Sequence, residues 1–319
     1  MSDRAPIRPP FTVDQLLAFI GVLEKGNVTQ TAESFHLSQS TVTHHLKSFQ
    51  QVLGLRLFQQ VGRNIRPTDA GLELASSARV AVRAMRDLMD AAAGLSKVET
   101  GVVRIAASQT TVSHYLPAVL GDFLFNRPGV SVDVVPGNTV DVCHRVATAE
   151  VDLGLIEGPL ATKGLAEHRL ARDEVVLVVA TSHPLAARSR VSRRDLLVAR
   201  YLAREVGSGT ELIAEEMLKD VYHLVSRIQI GQMDAVRAAV RAGVGFAALP
   251  RLAVQDEIKA GLLTVLPIRP HFRWIRAIRR STASGPAAEA LWSLLRNRHW
   301  SRGGPQSASG GRATHRYAP

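Results

Sequence analysis

Three short helical patterns follow one another near the start of this 319-residue chain, and only three residues separate the second from the third. The first follows Thr12, which forms a capping box with Gln15 and precedes apolar residues at helical spacing. A second short helix is predicted over 29–35 after Asn27, and a third continues to about Leu53. Two helices joined by so tight a turn are typical of a helix-turn-helix.

The third predicted helix carries apolar residues on one face and polar residues on the other. Its outward groups are amide, hydroxyl, imidazole and ammonium groups, on Gln39, Ser40, Thr43, His44 and Lys47. These groups suit base edges in a major groove, although a solvated face of a structural three-helix bundle is the alternative. Two short strands predicted over 55–58 and 64–66 favour DNA binding. They form a winged hairpin on which Arg63 and Arg66 are placed to meet phosphates.

The segment from Phe11 to Leu74 resembles the winged helix-turn-helix of LysR-type transcription regulators. The shared positions include Gly26, Ala32, Leu37-Ser38-Gln39-Ser40, Leu53-Gly54, Leu57-Phe58, Gly62-Arg63 and Thr68-Asp69-Ala70-Gly71. In that family the third helix enters the major groove, so the resemblance implies DNA contact by its polar face. The family commonly has Arg at the position of His44 and a basic residue at that of Gln60. We therefore expect sequence preference and phosphate affinity to differ from typical members.

One long helix is predicted from Thr68 to about Ala93, because no proline interrupts this segment. Its small and apolar residues alternate at spacings of three and four, as in a coiled-coil seam, at Ala75, Ala78, Val82, Met85, Met89 and Ala92. The helix either pairs with that of a second chain or packs on its own core. Pairing matches the family's dimerisation helix and predicts an operator with two related half-sites.

From Val98 onward, predicted strands and helices alternate, which indicates mostly parallel sheets with helices on both faces. The first series has strands over 102–106, 130–135 and 152–156 and helices over 114–125 and 140–149. The second has strands over 175–180, 201–203, 227–230 and 244–248 and helices over 193–198, 211–218 and 234–242. A strand over 272–278 and a helix over 287–298 return to the first lobe. This pattern resembles the two-lobed effector domain of LysR-type regulators.

We therefore predict an α/β protein with an all-α winged helix-turn-helix N-terminal domain and a two-lobed, periplasmic-binding-protein-like effector domain. The predicted divisions are a disordered N-terminus (1–10), DNA-binding domain (11–68), linker helix (69–97), effector domain (98–299) and disordered tail (300–319). Lobe I comprises about 98–160 and 269–299, and lobe II about 161–268. The net charge of +11 is spread along the chain and does not locate the DNA-binding part.

Three loops at predicted strand ends precede helices, at 108–111, 207–210 and 231–233. Ligands of open α/β sheets bind at such edges, and hydroxyls and amides at helix starts suit a carboxylate, phosphate or sulfur oxyanion. Ordinary helix capping is the alternative for each loop alone. By family position, the candidates for lining the cleft are Ser108, Thr110, Asn138, Glu205, Ser208, Thr210, Gln232 and Met233.

Two further segments of the effector region carry information about function. The run Arg204-Glu205-Val206-Gly207-Ser208-Gly209-Thr210 resembles the branch that regulates sulfur assimilation and carbon dioxide fixation. That resemblance implies a small anion or a phosphorylated metabolite as effector. The other segment is predicted to be a solvated strand face or an intersubunit surface rather than a second DNA site, and it contains Arg269, His271, Arg273, Arg276, Arg279 and Arg280.

The sequence contains no Walker, HExxH or G-x-S-x-G motif and no metal-ligand spacing, so we expect neither an enzyme nor a cofactor beyond the effector. The single Cys143 excludes an internal disulfide and is expected to be buried. No apolar run reaches membrane length, so a cytoplasmic protein is expected.

A transport-type solute-binding protein is the alternative with the same two-lobed architecture, but it would have no use for the winged domain. The family resemblance implies four partners, namely promoter DNA, a small anionic metabolite, further copies in a dimer or dimer of dimers, and RNA polymerase.

Overall fold

The computed structural model describes residues 9–61, 64–94, 100–158, 163–281 and 285–300. The chain divides into a first unit that extends to Met89 and a second that contains nearly all of the remainder. No helix in the described ranges is both long and apolar enough to span a membrane. Of the segments predicted to be disordered, 1–10 and 300–319, residues 1–8 and 301–319 lie outside the described residues. Trp300 packs against the core of lobe I and donates to the Leu295 carbonyl at 3.0 Å, so its assignment to a disordered tail is wrong.

The first unit begins with three helices, α1 (Val13–Lys25), α2 (Val28–Ser34) and α3 (Gln39–Leu53). Each starts after a capping residue, because the side-chain oxygens of Thr12, Asn27 and Ser38 accept backbone amides of the first turn at 3.3, 2.7 and 3.1 Å. α1 and α3 end at glycines with φ of 62° and 65°, a left-handed conformation in which most side chains are strained. The predicted three capped helices are confirmed.

A two-stranded hairpin, β1 (Phe58–Val61) and β2 (Asn64–Pro67), follows these helices. The first strand starts later than predicted because the amides of Leu57 and Phe58 donate to the Gln50 carboxamide, at 2.7 and 3.2 Å. Phe58 also packs in the core, with its ring 5.7 Å from that of Phe19. The hairpin is thereby fixed to α3.

The long helix α4 (Asp69–Gly94) is confirmed, but three of its predicted seam residues lie elsewhere than expected. Ala75, Ala78 and Val82 are buried in their own unit, and Ala78 and Val82 pack in the same core as Phe19. Buried side chains cannot also meet a second chain, so the predicted seam is wrong for these three. Met85 is half-buried, and Met89 is 72% exposed.

The second unit contains most of the strands and helices in the described part of the chain. Its strands are β3 (Gly101–Ser108), β4 (Val130–Gly137), β5 (Leu153–Glu157), β6 (Leu165–Ala180), β7 (Tyr201–Ala203), β8 (Arg227–Gln229), β9 (Ala247–Pro250), β10 (Leu263–Val265) and β11 (His271–Arg280). Its α-helices are α5 (Gln109–His114), α6 (Leu116–Phe125), α7 (Thr139–Ala147), α8 (Gly209–Leu218), α9 (Met233–Arg241), α10 (Arg251–Lys259) and α11 (Pro286–Asn297). The segment Arg193–Val198 is a 3-10 helix.

One mixed sheet extends through this unit in the order β10-β6-β11-β5-β3-β4, and β9 also pairs with β6. β3 is parallel to β4 and β5, whereas β11 is antiparallel to β5 and β6. The expectation of mostly parallel sheets is therefore wrong for the middle of the sheet. Two lobes form along it, because one hydrophobic core contains Leu170 of β6 and another contains Val175 and Leu177.

Several boundaries in the second unit differ from the predicted ones. β6 starts ten residues before the predicted strand, over a stretch in which charged residues hide the strand pattern. The predicted helix over 114–125 corresponds to α6, which begins two residues later, and α5 was not predicted. Pro117 lies in the first turn of α6, where its missing amide costs no hydrogen bond. α10 was not predicted.

The basic cluster does not form one solvated face. Arg273 is buried, and Arg279 pairs with Glu289 and stacks on the Trp292 ring at 4.7 Å. Arg280 donates to backbone carbonyls of the α7–β5 region at 2.9 and 3.1 Å. The prediction of a solvated strand face is therefore wrong for these three arginines.

Candidate functional site

The predicted polar face of α3 is presented to solvent. Gln39, Ser40, His44 and Lys47 are exposed, and Thr43 is half-buried. Their hydrogen bonds are local, since Thr43 donates to the Gln39 carbonyl at 2.8 Å and the Ser40 hydroxyl bonds that of Ser38 at 2.7 Å. α3 contains no carboxylate, so no group on the helix itself repels a phosphate. The face can therefore supply donors and acceptors to base edges.

A groove of about 450 Å³ lies beside this face. Thr43 and Lys47 line it from α3, Asn27 and Thr29 from the start of α2, and Gln60 from β1. Such polar and basic walls suit a sugar-phosphate backbone. The sequence analysis assigned Asn27 only to capping and did not identify Thr29. Arg66 is exposed on β2, and Arg63 lies outside the described residues.

In the second unit, the hydroxyls of Ser108 and Thr110 both donate to the carboxylate of Glu157. The Thr110 bond to Oε1 is 2.8 Å long, and Ser108 bonds Oε2. Ser108 ends β3 and Glu157 ends the neighbouring parallel strand β5, so both lie at the same edge of the sheet. All three residues are buried. Glu157 thus occupies donors that the sequence analysis assigned to a bound anion.

Arg273 of β11 connects this carboxylate to the other lobe. Its Nε donates to Asp173 Oδ2 at 2.8 Å and its Nη1 to Thr210 Oγ1 at 2.9 Å. Its Nη2 lies 3.6 Å from Glu157 Oε1 and makes no hydrogen bond with the described residues. The side chain is only 2% exposed, so this arginine serves two buried carboxylates and retains one unused donor group.

The protonation of Glu157 is sensitive to its surroundings. Burial raises the pKa of its carboxyl, while Arg273 and the Thr110 hydrogen bond oppose the rise. The cause is desolvation, which penalises the charged form of a carboxyl group. A second negative charge placed beside Glu157 would raise this pKa further.

Direct hydrogen bonds join the two lobes across the cleft. Gln109 donates from Nε2 to the Gly231 carbonyl at 3.1 Å and accepts the Met233 amide at 2.8 Å. Asn138 donates to the carbonyl of Val206 at 3.3 Å. The lobes are therefore closed on each other.

Gly209 shows how close this approach is. A Cβ at this position would lie 2.2 Å from the Glu157 carbonyl oxygen, well inside van der Waals contact. Only glycine therefore allows the start of α8 to meet the end of β5 in this arrangement. This gives a structural reason for one glycine of the segment that suggested a regulatory branch.

The structure brings some candidate cleft residues together and not others. Ser108, Thr110 and Thr210 meet around Glu157 and Arg273, and the buried Ser208 lies in the loop that Asn138 contacts. The Glu205 carboxylate is held by the neighbouring Arg204 at 2.9 Å.

Two further candidates do not line the cleft with their side chains. Gln232 is exposed. The Met233 side chain packs in the core of lobe II, so its predicted place in the cleft is wrong. Only the backbone amide of Met233 reaches the cleft, where it donates to Gln109.

Sequence reasoning missed Glu157 and Asp173, named Gln109 only as part of the loop 108–111, and assigned Arg273 to a solvated strand face or an intersubunit surface. Glu157 could have been found, because it follows a predicted strand at the same edge as Ser108. The partners of Arg273 could not, since Asp173 is 100 positions away in the chain. Among the described residues, no three His, Cys, Asp or Glu side chains are grouped so as to hold a metal ion.

Two models of known protein families match this chain. The family model "Bacterial regulatory helix-turn-helix protein, lysR family" matches residues 13–72, and "LysR substrate binding domain" matches residues 96–300. The chain belongs to the LysR family of bacterial regulators. It is therefore a DNA-binding transcription regulator with a small-molecule-binding effector domain, as the sequence analysis predicted.

Individual relatives agree with this class. The chain is 31% identical over 258 residues to the uncharacterized HTH-type transcriptional regulator YeiE of Escherichia coli (strain K12), covering 81% of this chain and 86% of that protein. It is 28% identical over 261 residues to a probable RuBisCO transcriptional regulator of Cyanidium caldarium, covering 80% and 82%. The latter matches the carbon-fixation branch suggested by residues 204–210.

Solved structures share the fold. A full-length OxyR variant from Pseudomonas aeruginosa matches 89% of this chain and 93% of its own, with a TM-score of 0.70 at 19% identity. The Synechocystis PCC6803 CcmR regulatory domain in complex with 2-PG matches 62% of this chain and 96% of its own, with a TM-score of 0.55 at 24% identity. The order of a helix-turn-helix followed by an effector domain along the chain is that of the two matched family models.

Proposed function

We propose that this regulator reads promoter DNA with the polar face of α3 and the hairpin, and that a small anion bound between its lobes controls it. One observation carries the effector assignment, namely that the carboxylate of Glu157 is held by Ser108, Thr110 and Arg273. A group of donors that holds one oxyanion from within the chain can hold a similar one from outside.

The chemistry of the cluster indicates the effector class. The donors are two hydroxyls and a guanidinium, which suit a carboxylate, phosphate or sulfur oxyanion. The unused Nη2 of Arg273 would gain a hydrogen bond from such a group. The complex of the related CcmR domain with 2-PG supports a small metabolite in this fold. The cleft is assigned to binding rather than catalysis, with no cofactor besides the effector.

Binding of an anion here must compete with Glu157 or depend on its protonation. The folded pKa of Glu157 is raised, so the neutral form persists to higher pH than in an exposed carboxyl. An anion binds the neutral form more tightly because like charges repel. Anion affinity should therefore be highest at low pH and fall as pH rises through the pKa of Glu157.

Isothermal titration of the full chain with sulfate, sulfite, phosphate and 2-PG tests this proposal. We expect at least one of them to bind, and the double variant Thr110→Val, Thr210→Val to abolish binding while operator affinity persists. Glu157→Gln removes the competing charge and should tighten binding about tenfold at neutral pH and flatten its pH dependence. The Thr264→Val variant, which alters a hydroxyl on β10, serves as control. Unchanged titration in the double variant would remove these loops from the effector site.

The exposed side of α4 supports assembly of two chains. Ser77, Ala81, Ala84 and Leu88 lie at spacings of four, three and four, all are exposed, and Leu88 is 71% exposed. This spacing is that of a coiled-coil seam, and small residues allow close approach. We propose dimerisation through this face, which would present two α3 helices to two half-sites. Assembly as a dimer of dimers, contact with RNA polymerase and a cytoplasmic location are further proposals that rest on the family.

A further inference from the structure

A cavity of about 420 Å³ lies in the second unit, and of the cluster around Glu157 and Arg273 only Asp173 lines it. It is bounded by Arg172 and Glu174 of β6, Phe272 of β11, and Arg251 and Leu252 of α10. We call it the outer-face cavity. Its volume is within the range of small-molecule sites in proteins.

The register of β6 and β11 places the aromatic wall of this cavity and the cleft arginine on opposite faces of the sheet. Glu174 is opposite Phe272 in the register, and Asp173 is opposite Arg273. Directly opposed residues share a face of a sheet and successive residues alternate, so Phe272 and Arg273 project to opposite sides. Arg273 contacts Thr210 on the cleft side, and Phe272 lines the outer-face cavity.

The cavity is lined by two guanidinium groups, one in an ion pair and the other stacked on an aromatic ring. Arg251 Nε pairs with Glu174 Oε2 at 2.8 Å. The Arg172 guanidinium lies 4.4 Å from the centre of the Phe272 ring, and its residue is exposed. Within the described ranges, the Arg172 guanidinium forms no ion pair or hydrogen bond. Asp173 also lines the cavity, but its carboxylate is bound to Arg273.

The apolar part of the lining lies beside these charges. Phe272 is 47% exposed, so part of its aromatic ring remains accessible although the Arg172 guanidinium lies over it. Leu252 adds an aliphatic wall. The lining side chains carry two positive and two negative charges. The negative groups are both bound to arginines, Asp173 to Arg273 and Glu174 to Arg251, which leaves Arg172 as the cation available to a ligand. This combination favours a ligand with one negative charge and an apolar surface.

We propose that the outer-face cavity is a second ligand site, which binds a small organic monoanion with a flat aromatic body. Its acidic group is bound by Arg172 and Arg251, and its ring packs on Phe272 and Leu252. This site goes beyond the proposed function, because it shares no lining residue with the Ser108, Thr110 and Thr210 group. A ligand there contacts the residues next to Asp173 and Arg273, so the two sites are expected to influence each other's affinity.

Isothermal titration of the full chain with 2-naphthoate tests the second site. 2-Naphthoate supplies both the ring and the charge, 2-naphthalenemethanol supplies the ring alone, and acetate supplies the charge alone. We expect saturable binding of 2-naphthoate at least tenfold tighter than either control. Arg172→Ala should weaken it at least tenfold.

A matched arginine provides the control. Arg169 stacks on Trp274 at 5.5 Å on the same strand pair but does not line the cavity, so Arg169→Ala should change affinity less than twofold. The Thr110→Val, Thr210→Val variant should retain 2-naphthoate binding even if it loses small oxyanions. No saturable binding, equal losses in the two arginine variants, or loss of binding in the threonine variant would each overturn the proposal.

Discussion

The face of α3 and the cleft of the second unit use similar polar side chains in opposite ways. On α3, hydroxyl, amide and imidazole groups are mostly exposed, and their hydrogen bonds stay within one helical turn. In the cleft, the hydroxyls of Thr110 and Thr210 are buried and bond groups 47 and 63 positions away in the chain. The DNA-binding face therefore gains its partners only on binding, whereas an effector must replace bonds that already exist.

The largest effect is expected from Arg273. Its guanidinium contacts two buried carboxylates, and solvent cannot reach them to replace its charge and hydrogen bonds. Arg273→Met removes the cation that is bound to Asp173 and lies nearest to Glu157, which should cost about 3–5 kcal/mol of unfolding free energy. All three tryptophans, at 274, 292 and 300, belong to the second unit, so their emission during urea unfolding reports on this unit.

Arg276→Met is the matched control for that experiment. Arg276 lies on the same strand and pairs at 3.4 Å with Glu167, whose side chain is 37% exposed. A pair that reaches solvent contributes about 1 kcal/mol or less, so this variant should lose little stability. Equal losses in the two variants would show that the buried cluster has no special role in stability.

A smaller effect is expected on the DNA-binding face, and it should alter binding without altering the fold. His44→Ala should reduce the free-energy difference between operator binding and random-sequence binding by about 1–3 kcal/mol, because an exposed group that reads a base edge is lost. Lys47→Ala should weaken binding to both duplexes alike and reduce the salt dependence. Fluorescence anisotropy at several salt concentrations separates the two outcomes. If His44→Ala leaves the ratio unchanged, its assignment to base recognition is wrong.

The smallest effect is expected at the cap of α3. Ser38 accepts the Thr41 amide at 3.1 Å, so Ser38→Ala should cost about 1 kcal/mol and increase fraying of the first turn. Hydrogen exchange of the amides of 39–42 measures this locally. Faster exchange should appear there and not in α1, whose cap at Thr12 is intact. Exchange rates that do not change would show that the cap contributes nothing to this turn.

The first unit could be predicted closely because its determinants are local. Caps, left-handed glycines and helical spacing lie within a few residues of the structure that they define, as at Thr12, Ser38 and Gly54. The packing of α4 was harder, since one helix has two apolar stripes. The sequence analysis placed Ala75, Ala78 and Val82 in a candidate intersubunit seam and gave packing on their own chain as the alternative, and these residues are buried in their own unit.

The cleft could be predicted only in part because it depends on distant pairs. The positions of Ser108 and Thr210 followed from strand ends, which the chain order determines. The role of Glu157 depends on Arg273, and the role of Arg273 depends on β6 extending ten residues further than its apolar pattern indicates. Charged residues in that extension resemble a loop in the sequence, although in the sheet they bear the ion pairs.

The uninterrupted β6 has a mechanical consequence for signalling between the lobes. A strand of 16 residues, bonded to β11 along ten of them, resists stretching and shear because either motion breaks several hydrogen bonds together. Paired strands yield more easily to a change of twist, which spreads small dihedral changes over many residues. Effector binding should thus produce torsion of one lobe against the other through a few degrees per residue, rather than a wide opening of the cleft.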